Sequence, residues 1–268
     1  GLGLTSSQSF YWAAEELSRG DSGMCVAALC TAWPMVPIVY EPYRRDDLLE
    51  EFAKIFCGDE AHFGCFAMTE PQGGCDIENV ETMKGRTIRT TAELDGDEWV
   101  INGEKQWPTN SGIASLYLTV CTTNPDLGEE GMALIYVPAP TKGLDFGDFE
   151  VKAGMAADRN CSIYFDNVRV PKRYRVAGPG DDAKLFRQLL VAGNIGSAGI
   201  SIGPAQNTFE IVTKYATERV AGGKPIKEHS ITAVMLADMA IGIETARTYA
   251  LNVAHMFDRP EIYGPRWS

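Results

Sequence analysis

The amino-acid sequence predicts a multi-domain α+β protein with a helical segment, a central antiparallel β-barrel and a C-terminal helical bundle. Apolar residues recur at helical intervals near both ends of the chain, and they alternate with polar residues in the middle. Asp-Gly and Asn-Gly pairs separate the alternating runs, as in β-hairpins. We therefore place a partial helical domain at residues 1–64, the barrel at 65–176 and a truncated helical domain at 177–268.

The first domain is predicted to be helical because its apolar residues fall on single helix faces. One helix has apolar residues at Phe10, Ala13, Ala14 and Leu17. A second helix has a clearer face, made by Leu48, Leu49, Phe52, Ile55 and Phe56. Such spacing turns one side of a helix toward a core and leaves the other side to solvent.

The middle domain changes to a period of two residues. Its alternating runs flank Asp95-Gly96 and Asn102-Gly103, and both pairs favour the left-handed backbone of a two-residue hairpin turn. Further candidate strands lie at 116–121, 132–137, 162–165 and 168–171. Several short strands joined by turns are typical of an antiparallel sheet or barrel.

The last domain is predicted to contain two long helices, over 186–219 and 231–257. The first helix carries four glycines in its first half: Gly193, Gly196, Gly199 and Gly203. Each glycine costs a helix about 1 kcal/mol relative to alanine. We therefore expect another element to pack closely against them. The second helix has one apolar stripe and ends before Pro260.

Composition excludes several classes of function. The 268 residues carry a net charge of −12, and nucleic-acid binding needs clustered Lys and Arg, so we expect no nucleic-acid partner. No apolar run reaches the ~20 residues of a membrane helix, which predicts no membrane insertion. Seven cysteines without a C-x-x-C pair, and three scattered histidines, predict reduced thiols and no metal site. We expect a cytoplasmic protein, or one of the mitochondrial matrix in a eukaryote.

The two ends of the chain suggest a fragment. Residues 1–4 have no initiating methionine, and residues 265–268 stop without a helix end or a polar tail. We therefore expect that the chain is an internal piece of a longer polypeptide.

Two segments of the middle domain have residue types suited to a flat polar ligand. In residues 66–76, Thr69 and a Pro turn precede paired glycines, so that backbone amides can approach a ligand edge. In Trp107-Pro108-Thr109, the indole can lie against a planar ring while the hydroxyl bonds to it. From residue types alone, an ordinary surface turn is the favoured explanation of the first segment, and a core tryptophan before a turn also explains the second.

Together the two segments resemble those of the acyl-CoA dehydrogenase family, which read T-E-P-x-x-G-S-D and N-G-x-K-x-W-I-T-N. Here they stand as T-E-P-Q-G-G-C-D at 69–76 and N-G-E-K-Q-W-P-T-N at 102–110. Further matches follow in order at 15–20, 168–171, 213–219 and 235–239. The resemblance covers nearly the whole chain, apparently without the family's N-terminal start and last C-terminal helices.

The resemblance implies that FAD lies between the barrel and the C-terminal helices, in a homo- or hetero-oligomer, usually a tetramer. The residues implied to bind FAD are Phe66, Met68, Thr69, Gly74, Cys75, Trp107, Pro108, Thr109, Arg219 and Ala221. Trp107 would pack against the flavin ring and Thr109 would donate a hydrogen bond near N5. Arg219 would reach the FAD diphosphate of a neighbouring subunit.

The implied reaction is α,β-dehydrogenation of an acyl-CoA, with electrons passed to an electron-transferring flavoprotein. The residues expected to contact the substrate are Cys75, Gly193 and Asn194. The family uses a carboxylate base, but Gly193 stands at one of the positions where some members carry it, so we expect the base outside this chain. Two alternatives stay open: a non-catalytic or flavin-poor subunit of a heteromeric dehydrogenase, and a flavin oxidase or monooxygenase on the same fold.

Overall fold

The computed structural model describes residues 6–39, 41–79 and 88–264. The chain ends, which motivated the expectation of a fragment, lie outside the described residues. The chain divides into two compact units, Val26–Leu190 and the combination of Gly1–Cys25 with Val191–Ser268. The helices are α1 (Ser7–Ser18), α2 (Ser22–Ala32), α3 (Val36–Val39), α4 (Asp46–Phe56), α5 (Asp181–Glu218), α6 (Ser230–Phe257) and α7 (Pro260–Tyr263). The strands are β1 (Phe63–Ala67), β2 (Thr91–Asp95), β3 (Glu98–Lys105), β4 (Ala114–Thr122), β5 (Met132–Pro138), β6 (Leu144–Phe146), β7 (Ile163–Pro171), β8 (Val220–Ala221) and β9 (Lys224–Pro225).

The unit Val26–Leu190 is built on a curled seven-stranded sheet in the order β1-β4-β2-β3-β7-β6, with β5 also beside β4. The sheet is mixed, because β1 runs parallel to β4 while most other pairs are antiparallel. Four of the five residues of β1 are buried, so this strand has no polar alternation in its sequence. A parallel strand covered on both faces has this pattern, and a period of two does not reveal it.

One of the two predicted hairpin turns is confirmed and the other is wrong. Asp95 pairs with Glu98 across a two-residue turn, in which Gly96 has a φ of 62°. Asn102-Gly103 instead lies within β3, where the register against β7 shifts. A Cβ atom on Gly103 would lie 2.7 Å from the Cα atom of Thr90. This glycine therefore permits a close backbone approach within the sheet.

Within the described part of the chain, one helical stretch is long and apolar enough to cross a membrane by length and composition, Ser22–Val39. Its residues from Val26 onward pack within the sheet-containing unit. Ile38 is fully buried there. The Asn110 amide donates to the carbonyl of Ala27 over 2.9 Å, and the Tyr136 hydroxyl donates to the carbonyl of Pro34. These contacts join residues of the stretch to the core of this unit, and 39% of the whole stretch is buried.

The two predicted long helices are confirmed as α5 and α6. The unit formed by Gly1–Cys25 and Val191–Ser268 contains α6 and the part of α5 from Val191 onward. Gly196, Gly199 and Gly203 of α5 lie against α1, which agrees with the close packing expected from the number of glycines. A Cβ atom on Gly199 would lie 2.7 Å from the carbonyl oxygen of Tyr11, and one on Gly203 would lie 2.3 Å from that of Glu15. Their lost helix propensity is therefore offset by close packing of two helices.

Asp182, at the start of α5, has a stability effect that depends on pH. Its carboxylate is fully buried and accepts hydrogen bonds from Arg175 Nε over 2.6 Å and from the Ala177 amide over 3.1 Å. Burial raises the pKa of Asp182 from 3.8 to about 6, although Arg175 opposes the change. The folded state therefore holds this proton more tightly than the unfolded state does.

We expect the wild type to lose up to roughly 3 kcal/mol of stability relative to Asp182→Asn as the pH rises from about 4 to about 6. The sign follows because an acid whose pKa is raised on folding stabilises the fold only while it is protonated. Urea unfolding of both proteins across this pH range measures the difference. A difference that does not change with pH would contradict the expectation.

Candidate functional site

The loop that follows β1 folds back on itself. The amide of Glu70 donates to the carbonyl of Gly73 over 2.8 Å, and the amide of Gly73 donates back over 3.1 Å. A Cβ atom on Gly73 would lie 2.5 Å from the Asp76 carboxylate, and one on Gly74 would lie 3.2 Å from the Thr69 methyl group. Small residues are therefore needed here. Cys75 is exposed at the start of a short 3-10 helix.

A buried ion pair fixes this loop. Lys105 Nζ lies 2.7 Å from Glu70 Oε1, and the two side chains are 0% and 1% exposed. The amides of Arg89 and Thr90 and the Thr90 hydroxyl also donate to the Glu70 carboxylate. Burial opposes ionisation of Glu70, but the Lys105 charge and these hydrogen bonds outweigh it and lower the pKa of Glu70. Burial lowers the pKa of Lys105, while Glu70 opposes the change.

The same lysine brings the two predicted ligand segments together. Lys105 Nζ also donates to the carbonyl of Met68 over 3.0 Å. The amide of Gln106 donates to the carbonyl of Thr69 over 2.8 Å. Trp107 is the residue after Gln106, so this hydrogen bond connects it to the Thr69 loop. In sequence, 38 positions separate Trp107 from Thr69.

The segment from Trp107 to Asn110 has an unusual backbone that its neighbours hold in place. Trp107 and Asn110 have φ values of 59° and 66°, which cost energy in residues other than glycine. The amide of Trp107 donates to the carbonyl of Cys161, and Asn160 Nδ2 donates to the carbonyl of Trp107. Pro108 is buried, whereas the Trp107 side chain is 52% exposed. The Trp107 indole is therefore exposed to solvent beside the partly exposed Thr109.

The Thr109 hydroxyl is connected to a buried charge. It donates to Asp158 Oδ2 over 3.3 Å, and Lys152 Nζ lies 3.2 Å from the same oxygen. Lys152 Nζ also donates to the Asp158 carbonyl over 2.7 Å and to Asn160 Oδ1. Asp158 is 6% exposed, and its Oδ1 has no hydrogen-bond partner among the described residues. A buried acceptor without a partner is costly, so a donor from a ligand or an ordered water would stabilise it.

The remaining predicted FAD residues of this unit differ in how they could contribute. Phe66 is buried, with its ring 5.3 Å from that of Trp33 and 6.1 Å from that of Phe186, so any ligand contact would come from its backbone. The side chains of Met68 and Thr69 are partly exposed. Among the described residues, the Thr69 hydroxyl has no hydrogen-bond partner, which leaves it able to bind a polar ligand edge.

Four predicted residues belong to the other unit. Gly193 and Asn194 both lie in α5, where Gly193 is buried and Asn194 is exposed. Arg219 follows the end of α5, and Ala221 lies in the hairpin of β8 and β9; both are exposed.

No group of three or more His, Cys, Asp or Glu residues in the described ranges could hold a metal ion.

Sequence reasoning assigned no role to the residues that support this site. These are Glu70, Lys105, Asn110, Lys152, Asp158 and Asn160. For Lys105 a signal was available, because it shares the inward face of β3 with the buried residues Trp99 and Ile101 at two-residue spacing. A lysine in an inward register requires a buried acidic partner. The bonds of Asp158 and Asn160 join residues about 50 positions apart, and no local pattern marks them.

Two family models match the chain. The middle domain of acyl-CoA dehydrogenase matches residues 65–168, and the C-terminal domain of acyl-CoA dehydrogenase matches residues 184–265. The chain belongs to the acyl-CoA dehydrogenase family. This confirms the resemblance carried by the motifs at 69–76 and 102–110.

Individual relatives agree with this family. The chain is 35% identical over 200 residues to the human mitochondrial short-chain specific acyl-CoA dehydrogenase, covering 75% of this chain and 47% of that one. It is 31% identical over 252 residues to an acyl-CoA dehydrogenase of Bacillus subtilis, covering 94% and 64%. The chain therefore spans about half to two thirds of the length of these relatives.

A solved structure confirms the predicted fold class. A chain in the structure of the electron transferring flavoprotein of Acidaminococcus fermentans matches with a TM-score of 0.85 and 28% identity. The match covers 97% of this chain and 65% of that one. The combination of a curled sheet and long C-terminal helices is thus an acyl-CoA dehydrogenase-like fold.

Proposed function

We propose that this chain is the flavin-binding part of an FAD-dependent enzyme that removes hydrogens from the α and β carbons of an acyl-CoA thioester. The observation that carries the proposal is the exposed indole of Trp107, fixed beside the Thr109 hydroxyl and bonded through Gln106 to the Thr69 loop. A planar ring with a polar edge fits this arrangement. The unpartnered Oδ1 of the buried Asp158 supports a ligand with a donor group nearby.

The chain's own residues would bind and orient the ring. Trp107 packs against it, and the Thr69 hydroxyl with the neighbouring backbone from Phe66 to Cys75 binds its pyrimidine edge. Pro108 sets the position of Thr109, whose hydroxyl lies at the N5 side of the ring. When bound, FAD supplies the acceptor for the hydride that leaves the β carbon. Arg219, with Ala221 beside it, serves the FAD diphosphate of a neighbouring subunit, as a guanidinium does well.

The substrate and the base complete the proposal. The residues that we propose to contact the acyl-CoA are Cys75, Gly193 and Asn194. Glycine cannot remove a proton, so we assign the base to a part of the protein outside this chain. The similarity to a chain in an electron transferring flavoprotein structure supports such a flavoprotein as the electron acceptor. We propose a tetramer located in the cytoplasm, or in the mitochondrial matrix of a eukaryote.

The proposal predicts that the purified full-length protein, which includes the base, binds FAD and that a matching acyl-CoA bleaches its flavin absorbance under anaerobic conditions. A panel of acyl-CoAs of increasing chain length identifies the substrate. The corresponding free acids are the control, because without the thioester their α hydrogens are far less acidic. A protein that binds no FAD would favour the flavin-poor subunit, and rapid oxygen consumption by the reduced protein would favour an oxidase.

A further inference from the structure

We infer that Asp158 and Lys152 are positioning residues that set the direction of the Thr109 hydrogen bond at flavin N5, so that this site favours the reduced ring. The inference rests on the proposed function, since it requires the flavin ring at Thr109. It concerns residues of this chain that the family motifs at 69–76 and 102–110 do not include.

The hydroxyl of Thr109 has only one hydrogen to give. Thr109 Oγ1 lies 3.3 Å from Asp158 Oδ2, and a carboxylate can only accept, so the hydroxyl is the donor of this hydrogen bond. A hydroxyl has one donor and two lone pairs, so a Thr109 that donates to Asp158 presents only acceptor capacity to any other group. Toward a bound ring, this residue is therefore a hydrogen-bond acceptor, which reverses the donor role that the family resemblance implies for Thr109.

The two redox states of the ring differ in what N5 offers to such a residue. In the oxidised ring N5 is an acceptor, so Thr109 could bond to it only by turning its hydrogen away from Asp158. When the β C–H bond breaks and its hydride forms the N5–H bond, N5 becomes a donor. Thr109 then accepts from N5–H and keeps its own bond to Asp158. The arrangement held by Asp158 therefore matches the reduced state and not the oxidised state.

Lys152 keeps this arrangement fixed and electrically balanced. Its ammonium lies 3.2 Å from the same Oδ2 atom, and it also bonds to the Asp158 carbonyl. Through Asn160 it is connected to the carbonyl of Trp107. The carboxylate and the ammonium carry opposite unit charges, so together they add little net charge beside the ring. The effect of this pair on the ring is therefore the direction that it imposes on the Thr109 hydroxyl.

The test is the two-electron midpoint potential of the FAD-loaded protein, measured against a redox dye. The variant Asp158→Leu/Lys152→Met removes both charges and frees the Thr109 hydrogen to bond to oxidised N5. We expect the equilibrium constant for reduction to fall about tenfold, which is about 30 mV for a two-electron couple. In a Thr109→Val background the same pair of changes should leave the potential unmoved. The matched control is Asp181→Leu/Lys184→Met, which removes an exposed Lys–Asp pair of the same unit.

The outcomes separate this inference from the proposed function. If the wild type binds no FAD, the proposed function fails. If FAD binds but the potential does not shift, or shifts equally without the Thr109 hydroxyl, only the inference fails. Should the pair variant not fold, nitrogen-15 FAD gives a second measurement. The N5 resonance of the oxidised wild type should equal that of Thr109→Val, and a different resonance would show that Thr109 donates to N5.

Discussion

Replacing Lys105 with methionine is expected to lower the free energy of unfolding by about 3–5 kcal/mol. The change leaves the Glu70 carboxylate, which is 1% exposed, without its counter-charge. The carbonyl of Met68 also loses its donor. Urea unfolding of the wild type and the variant measures the loss. Because Lys105 holds the Thr69 loop beside Gln106, the variant should also bind FAD more weakly.

Two further variants distinguish the loss of pairing from the loss of a lysine. Glu70→Gln/Lys105→Met removes both charges and leaves no uncompensated buried charge, so it should be more stable than Lys105→Met alone. Lys184→Met removes a lysine that is 65% exposed and pairs with Asp181, and it should cost less than about 1 kcal/mol. A double variant less stable than the single one would contradict a role for the unpaired Glu70.

The fold was predictable where the signals are local. The turn at Asp95-Gly96 was predicted correctly, because Gly96 adopts the left-handed backbone that a tight turn needs. Asn102-Gly103 carries the same signal, but it lies where β3 approaches Thr90, and this long-range contact explains the glycine better than a turn does. A two-residue pattern cannot distinguish these uses, because both require a residue without a side chain.

The site was predictable only as far as its motifs extend. Trp107 and Thr109 follow β3 directly, so their exposure at a strand end agrees with a ligand-facing role. The residues that hold them are distant in sequence: Asn160 donates to the carbonyl of Trp107, and Asp158 accepts from Thr109. Contacts between side chains and partners 40 or more positions away can be predicted only when the sheet register is known.

The glycines of α5 predicted a close contact with another element, but they did not identify that element. Gly196, Gly199 and Gly203 weaken the helix on their own, and the structure shows that α1 lies against all three. Their Cβ positions would fall within 3.0 Å of Phe10, Tyr11 and Glu15 respectively. The identity of α1 as the partner depends on tertiary packing, which a helical period does not specify.

Gly203→Ala should lower the free energy of unfolding by about 2 kcal/mol, although alanine is the better helix former. Its methyl group would lie 2.3 Å from the backbone carbonyl oxygen of Glu15 and 2.0 Å from Ser18 Oγ. A backbone atom cannot rotate away, so α1 must move, at the upper end of the roughly 1–3 kcal/mol that overpacking costs. The gain in helix propensity, about 1 kcal/mol, recovers only part of this loss.

Gly242→Ala is the matched control, because it makes the same chemical change in the interior of another long helix. Gly242 is exposed in α6, and a Cβ atom there would meet no other atom within 4 Å. This variant should therefore gain up to about 1 kcal/mol from helix propensity alone. Opposite signs for the two variants in urea unfolding would assign the effect at Gly203 to the contact with α1. If both variants were stabilised, α1 would not be held against α5 at the distance that the structure shows.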